Sequence, residues 1–338
     1  MMKTIDRRHA VPFALVTSMF LLWGLANNMT DTLLAAFKRI MSMSDTQTSL
    51  IQFAFYGSYF CFALPAALFI RRRSFKSGII LGLLLYAAGA MLFLPAARVA
   101  SYGFYLVAIY VMAGGCSVLE TTANPYVMSM GDPRTATRRL NIAQSFNPVG
   151  SILGILMSKY FILDDISLYS ISGTYAALGL VLLGILVVML FARMPSGKDD
   201  DRSDSVGASF RRLLSNRLYR RGVVAQFFYV GAQIGVWSFT IRLVMQETGR
   251  LEAAASSIYL ISIYGIALGG IMRGDHPGDS KIGASGLIMS ILGGALLTPL
   301  QGMVSDHTNI YTSYAVPAFC FVVVTAYAVY AHRCKATL

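Results

Sequence analysis

From Val11 to Phe37 the chain runs almost without charge for long enough to cross a bilayer, and nine further stretches do the same. A lipid interior offers backbone groups no water, so only helices, or strands closed into a barrel, can cross it. A helix needs about 20 apolar residues for the crossing, whereas a strand needs about 10. Runs of the longer kind predict an all-α integral membrane protein. The expected spans are roughly 11–37, 48–70, 78–97, 102–128, 139–163, 169–194, 223–247, 253–272, 282–304 and 311–331. Composition agrees, with 56% apolar and only 13% charged residues, where soluble domains carry about a quarter charged.

The net charge of +12 invites a nucleic-acid reading, but its distribution argues for topology. With the N-terminus inside, Lys38, Arg39, Arg98 and Arg250 fall in outer loops, and Lys159, Arg193 and Arg242 fall within spans. The other 21 of the 28 Lys and Arg lie in the tails and inner loops. Inner loops carry the excess of basic residues in membrane proteins, so both termini are expected in the cytoplasm of a bacterial-type inner membrane. The basic loops 71–76 and 134–139 serve as anchors at the lipid headgroups. The start MMKTIDRRHA reads as an uncleaved cytoplasmic tail. Cys61, Cys116, Cys320 and Cys334 are scattered without metal-ligand spacing and read as small packing residues.

One connection is long. Residues 195–222 carry Lys198-Asp199-Asp200-Asp201-Arg202 and then the basic amphipathic piece Phe210-Arg211-Arg212-Leu213-Leu214. This marks a cytoplasmic linker between a six-helix bundle, 1–194, and a second bundle, 223–338. Two bundles of this kind outline a transporter built from repeats. The span after the linker also echoes the first, with amides and a Trp between Gln226 and Arg242 as the first has Trp23, Asn27 and Asn28. Glycines such as Gly265, Gly269 and Gly270 suit close helix packing in lipid.

Polar residues inside the spans carry the functional signal. Asn27-Asn28-Met29-Thr30-Asp31 sits in the first span and Glu120 in the fourth. An Asp at the centre of a spanning helix costs about 2.5 to 3.5 kcal/mol, so such groups normally face a bundle interior or a water-filled cavity. Burial disfavours the charged form of a carboxyl, which lets it take up and release a proton near neutral pH. Asp31 and Glu120 are therefore expected to carry coupling protons. Asn28, Asn124, Gln144, Asn147, Gln226 and Gln233 offer donors and acceptors suited to sugar hydroxyls, while Trp23, Trp237, Phe146 and Tyr229 can stack on a sugar ring. Each amide serves equally well as glue between helices. Neutral amides with aromatics favour an uncharged polyol; an anion carrier would hold Arg or Lys deep in its spans, which only Arg242 approaches. No GxxxxGK[ST] loop, HExxH pair or Cys/His cluster occurs, so an ATP-driven pump or zinc enzyme is not expected.

Four long motifs resemble the L-fucose/proton symporter family of the major facilitator superfamily. They are Leu22-Trp23-Gly24-Leu25-Ala26-Asn27-Asn28-Met29-Thr30-Asp31, the stretch from Gly115 to Pro125, the stretch from Arg139 to Asn147, and Tyr229-Val230-Gly231-Ala232-Gln233 with Trp237. The resemblance implies a twelve-helix transporter fold, with the proton as coupling ion and no cofactor. Its partners would be a neutral sugar, protons and the bilayer, with no nucleic acid and no enzymatic activity. It also implies proton-coupling roles for Asp31 and Glu120, and a cavity lined by Asn28, Asn124, Gln144, Asn147, Gln233 and Trp237. Glucose/galactose and N-acetylglucosamine permeases of the wider family are less similar at the doubled Asn.

The chain departs from that family in span number, with six plus four in place of six plus six. Gly269 to Asp275 resembles the end of the eighth family helix and runs into His276 to Gly283, which resembles the approach to the eleventh. Two helices near 270–276 are thus expected to be missing, the tenth of which lines the family's cavity. Loss of an even number preserves the topology of the later spans. The functions in view are proton-coupled L-fucose uptake, uptake of another hexose such as glucose or galactose, and a non-transporting remnant or sugar-binding sensor.

Overall fold

The computed structural model describes residues 9–163, 166–194, 206–248 and 292–335. Among them the regular elements are all helical. Numbered along these residues, the helices are α1 (Ala10–Ile40), α2 (Asp45–Arg72), α3 (Phe75–Met91), α4 (Phe93–Val99), α5 (Tyr102–Ser129), α6 (Ala136–Gln144) and α7 (Phe146–Ser158). The remainder are α8 (Leu168–Phe191), α9 (Val206–Ser215), α10 (Arg217–Thr248), α11 (Leu292–His307), α12 (Ile310–Ser313) and α13 (Ala315–Lys335). Seven helical segments among the described residues are long and apolar enough to cross a membrane. The expected span 253–272, the start of span 282–304 and the junction near 270–276 lie outside the described residues. The basic amphipathic stretch of the linker falls on α9.

Three expected spans are each two helices, and proline sets every break. A proline has no N–H to give the carbonyl four residues earlier. That carbonyl belongs to Met91 for Pro95, to Gln144 for Pro148 and to Ser313 for Pro317. These are the last residues of α3, α6 and α12. Single residues, Leu92, Ser145 and Tyr314, join the pieces in near-helical conformation, so each span continues across a frayed hydrogen-bond ladder.

The chain divides into two compact units, Met1–Thr30 with Cys61–Ser203, and Asp31–Phe60 with Asp204–Leu338. The first owes its packing to glycines and aromatics. A Cβ on Gly115 would fall 2.2 Å from the Tyr86 amide nitrogen, and one on Gly89 2.2 Å from that of Met112, so α3 and α5 touch backbone to backbone. In lipid, where apolar surface gains nothing by leaving water, such close approach is a main source of helix association. Phe93 stacks on Tyr175 of α8 at 4.0 Å, and the Tyr86 hydroxyl donates to the Leu22 carbonyl at 3.0 Å.

Arg139, fully buried, closes the end of α5. Its guanidinium donates to the Val127, Met128 and Asp132 carbonyls and to Thr135 Oγ1, over 2.6 to 3.2 Å. A helix C-terminus leaves carbonyls without partners and carries partial negative charge. The cation answers both, so the motif residue Arg139 has a structural duty.

In the second unit α10 packs on α11 and α13. A Cβ on Gly293 would fall 1.8 Å from the Phe227 carbonyl oxygen. The first unit uses the same device, since a Cβ on Gly150 of α7 would fall 1.8 Å from the Leu21 carbonyl oxygen. The helices receiving the glycines, α1 and α10, are those whose sequences echo one another.

Candidate functional site

In the first unit, α1 and α7 are drawn together by small residues. Gly150 and Gly154 lie one turn apart and press on the Leu21 and Leu25 backbone, while a Cβ on Gly24 would fall 2.1 Å from the Asn147 carbonyl oxygen. This approach fixes Asn147 beside the α1 turn that carries Trp23 and Asn27. The break at Ser145 separates Gln144 from Asn147, so these two amides flank an interrupted helix. Discontinuous helices are a recurrent element of transporter sites, because they free backbone groups and turn side chains out of helical register.

Across that break Gln144 Nε2 donates to Asn124 Oδ1 of α5 at 3.3 Å, which brings two expected sugar ligands together. Asn28 donates to the Gly24 carbonyl at 3.1 Å within α1. Trp23 Nε1, Asn27 Oδ1 and Glu120 Oε2 are among the buried polar atoms of this unit that find no hydrogen-bond partner among the described residues. Buried polar atoms are nearly always satisfied, and each exception calls for an explanation. These three atoms comprise one indole donor, one amide acceptor and one carboxyl oxygen.

The second unit holds Asp31, which is 4% exposed. Its Oδ1 accepts from Gln52 Nε2 of α2 at 2.6 Å and from Ser238 Oγ of α10 at 3.0 Å, and Gln52 Nε2 also lies 2.9 Å from Ser238 Oγ. Neither partner was signalled by the sequence. A lone Gln in an apolar span and a Ser beside a Trp have no spacing to set them apart. Gln233 and Trp237, both half-buried, lie four residues apart on α10 with Tyr229 one turn before them, so the three form a stripe.

Near the α1–α2 turn a second polar group gathers. Asp45 Oδ1 accepts from Lys38 at 2.5 Å and from Arg242 Nη1 of α10 at 2.9 Å, and Oδ2 accepts from Ser305 Oγ of α11 at 2.8 Å. Asp306 of α11 takes the Asp45 and Thr46 amides, each at 2.8 Å, together with the Thr46 hydroxyl. It thereby caps α2 from another element. Ser44 and Gln47 add a reciprocal capping box, at 3.0 and 3.2 Å. Burial opposes the charge on Asp306, but the Thr46 hydroxyl, the two amides and Ser44 outweigh it and hold its carboxyl below the usual range. Among the described residues no cluster of His, Cys, Asp and Glu is suited to a metal ion.

Comparison with known proteins fits this architecture. The family description Major Facilitator Superfamily matches residues 14–335. An L-fucose-proton symporter of Haemophilus influenzae is 34% identical over 96% of this chain and 97% of its own length. The L-fucose-proton symporter of Escherichia coli is 32% identical, over 96% and 93%. A glucose/galactose transporter of Brucella abortus is 26% identical over 92% of each. The crystal structure of FucP, described as a transporter of the superfamily in the outward conformation, superposes with a TM-score of 0.71 at 31% identity, covering 96% of this chain and 99% of that one.

Proposed function

Because the chain belongs to the Major Facilitator Superfamily, we propose that it is a multi-pass inner-membrane transporter coupling uptake of a neutral hexose, L-fucose, to the inward passage of protons. The observation that carries this reading is the near-full-length similarity to two L-fucose-proton symporters, at higher identity than the glucose/galactose transporter. The site chemistry supports it. Amides and unpartnered buried polar atoms suit a polyhydroxyl ligand, and two carboxyls placed in apolar helices suit proton carriage.

In the proposed cycle Asp31 and Glu120 take up protons from outside, and the sugar is held by Asn28, Asn124, Gln144, Asn147, Gln233 and Trp237. Protons and sugar are then released inside as the access side alternates, with both termini in the cytoplasm. The first bundle, linker and second bundle follow the chain at 1–194, 195–222 and 223–338. The second bundle lacks two helices near 270–276. In support, the match to the Haemophilus symporter runs over 421 positions against 338 residues here, so at least 83 positions of the relative face no residue of this chain. Two crossings of about 20 residues each, with their connections, fit within that shortfall.

The test is uptake of labelled L-fucose by cells lacking their own permease, with galactose, glucose and N-acetylglucosamine as competitors. L-Fucose should compete best with itself; stronger competition by galactose or glucose would assign the chain to the other branch. Asp31→Asn should abolish proton-driven accumulation in vesicles, and full accumulation by that variant removes Asp31 from the coupling.

A further inference from the structure

The hairpin formed by residues 31–60 is fastened to α10 at two places, by the Asp31 ring and by the Asp45 ion pair. The two fastenings meet on one face of α10, because Ser238 and Arg242 are four residues apart. Both are buried, Arg242 at 5% exposure. We propose that Gln52 and Ser238 are positioning residues that make the proton on Asp31 the control of a latch, whose bolt is the Arg242–Asp45 pair and whose keeper is Asp306 on α11. The proposal rests on Asp31 being a coupling carboxyl.

The ring of Asp31, Gln52 and Ser238 is strongest for the ionised acid, whose charged Oδ1 accepts both bonds. Gln52 Nε2 has two N–H groups, one for Asp31 Oδ1 and one for Ser238 Oγ, and the Ser238 hydroxyl donates to Oδ1. Hydrogen bonds to a charged acceptor are about twice as strong as neutral ones. Arg242, one turn along, also attracts the ionised carboxylate. A proton on Asp31 removes that attraction, weakens both bonds, and presents an O–H for which Gln52 Oε1 has capacity, since it finds no partner among the described residues. Turning the amide to accept that O–H takes Nε2 away from Ser238. The hairpin then loses its inner fastening to α10, and the outer pair, left to hold alone, opens.

The charged and titratable groups around this path are Lys38 on α1, Asp45 on α2, Arg242 on α10, Asp306 on α11, and Tyr314, which lies against Thr240 at 3.2 Å. Lys38 and Arg242 share one carboxylate oxygen, so Asp45 keeps a cation when Arg242 lets go. The ion pair can therefore open without leaving Asp45 uncompensated, which lowers the cost of separating a buried pair.

The test places spin labels at Ser42→Cys and His307→Cys, with Cys61→Ser, and tracks the distance between them in nanodiscs as pH is lowered. The short distance should give way to a longer one as Asp31 takes its proton. Ser238→Ala removes a donor to the ionised form, so the midpoint should move upward by about one pH unit. Ser238→Thr keeps the hydroxyl and should restore it, a rescue that a misfolded variant cannot show. Asp45→Asn should populate the long distance at every pH. The latch is overturned if Ser238→Ala keeps the original midpoint or Asp45→Asn stays short, even where Asp31→Asn abolishes accumulation. Accumulation retained by Asp31→Asn instead overturns the coupling reading on which the latch stands.

Discussion

Glu120 of the first unit has its Oε2 buried with no partner for it among the described residues. An ionised carboxylate at such a place loses its hydration and receives nothing in return. In the proposed coupling role it alternates between a neutral form and a ligand-stabilised one. Glu120→Gln keeps the shape and removes the titratable proton, so sugar binding by the purified protein should become independent of pH over about pH 5 to 8. A calorimetric binding curve that still changes with pH as in the parent removes Glu120 from the proton path. Glu120 and Asp31 were legible in the sequence because their cost is visible there: a carboxylate in an apolar run must be accounted for whatever the fold. Gln52 and Ser238 were not, since single amides and hydroxyls in spans bond neighbouring helices as often as they serve a site. Their meaning comes from Ser238 meeting Asp31 across 207 positions of chain, which no local pattern encodes.

Among elements, seven of the expected crossings are long apolar helical segments of the described residues, and hydropathy overlooked the breaks inside some of the expected spans. In the spans at 78–97, 139–163 and 311–331 a helix ends four residues before a proline. The break was written in the sequence, but window averages register apolar content and are blind to a missing N–H. The fastening of α2 was hidden differently, because the carboxylate that caps it stands on α11. Asp306 holds the Asp45 and Thr46 amides, and its carboxyl lies below the usual range in the folded chain. The unfolded chain therefore binds the proton more readily, so this contribution is full above the ordinary Asp pKa of about 3.9 and fades as pH falls through the lower folded value. Hydrogen exchange at the Asp45 and Thr46 amides should show it. At neutral pH Asp306→Asn should exchange faster than the parent after correction for intrinsic rates, and the two should converge once pH drops well below about 4. A difference between them that persists unchanged into acid would mean that the cap does not depend on the charge of Asp306.

For the whole molecule, the two units differ in how much of a transporter each retains. The amides flanking the break at Ser145, the glycine contact of α1 with α7 and the unpartnered atoms Trp23 Nε1, Asn27 Oδ1 and Glu120 Oε2 all belong to the first unit. On the proposed reading, the first unit's share of a sugar site does not depend on the two helices proposed to be absent from the other bundle. Loss of two spans keeps the orientation of every later one, because an even number of crossings returns the chain to the same side. The proposed loss would also remove a wall of the second bundle, where the resemblance implies that the tenth helix lines the cavity. Binding and transport should therefore separate. The chain as it stands should bind L-fucose, with a fluorescent reporter fused after Leu338 active in the cytoplasm. A version with two crossing helices inserted near 270–276 should take up labelled L-fucose faster at equal expression in cells without their own permease. Equal uptake by both versions would mean that the ten-span arrangement is a complete transporter and that the absent helices are dispensable. Binding lost from the shorter version alone would place essential sugar contacts in the second bundle rather than on α1, α5 and the broken helix around Ser145.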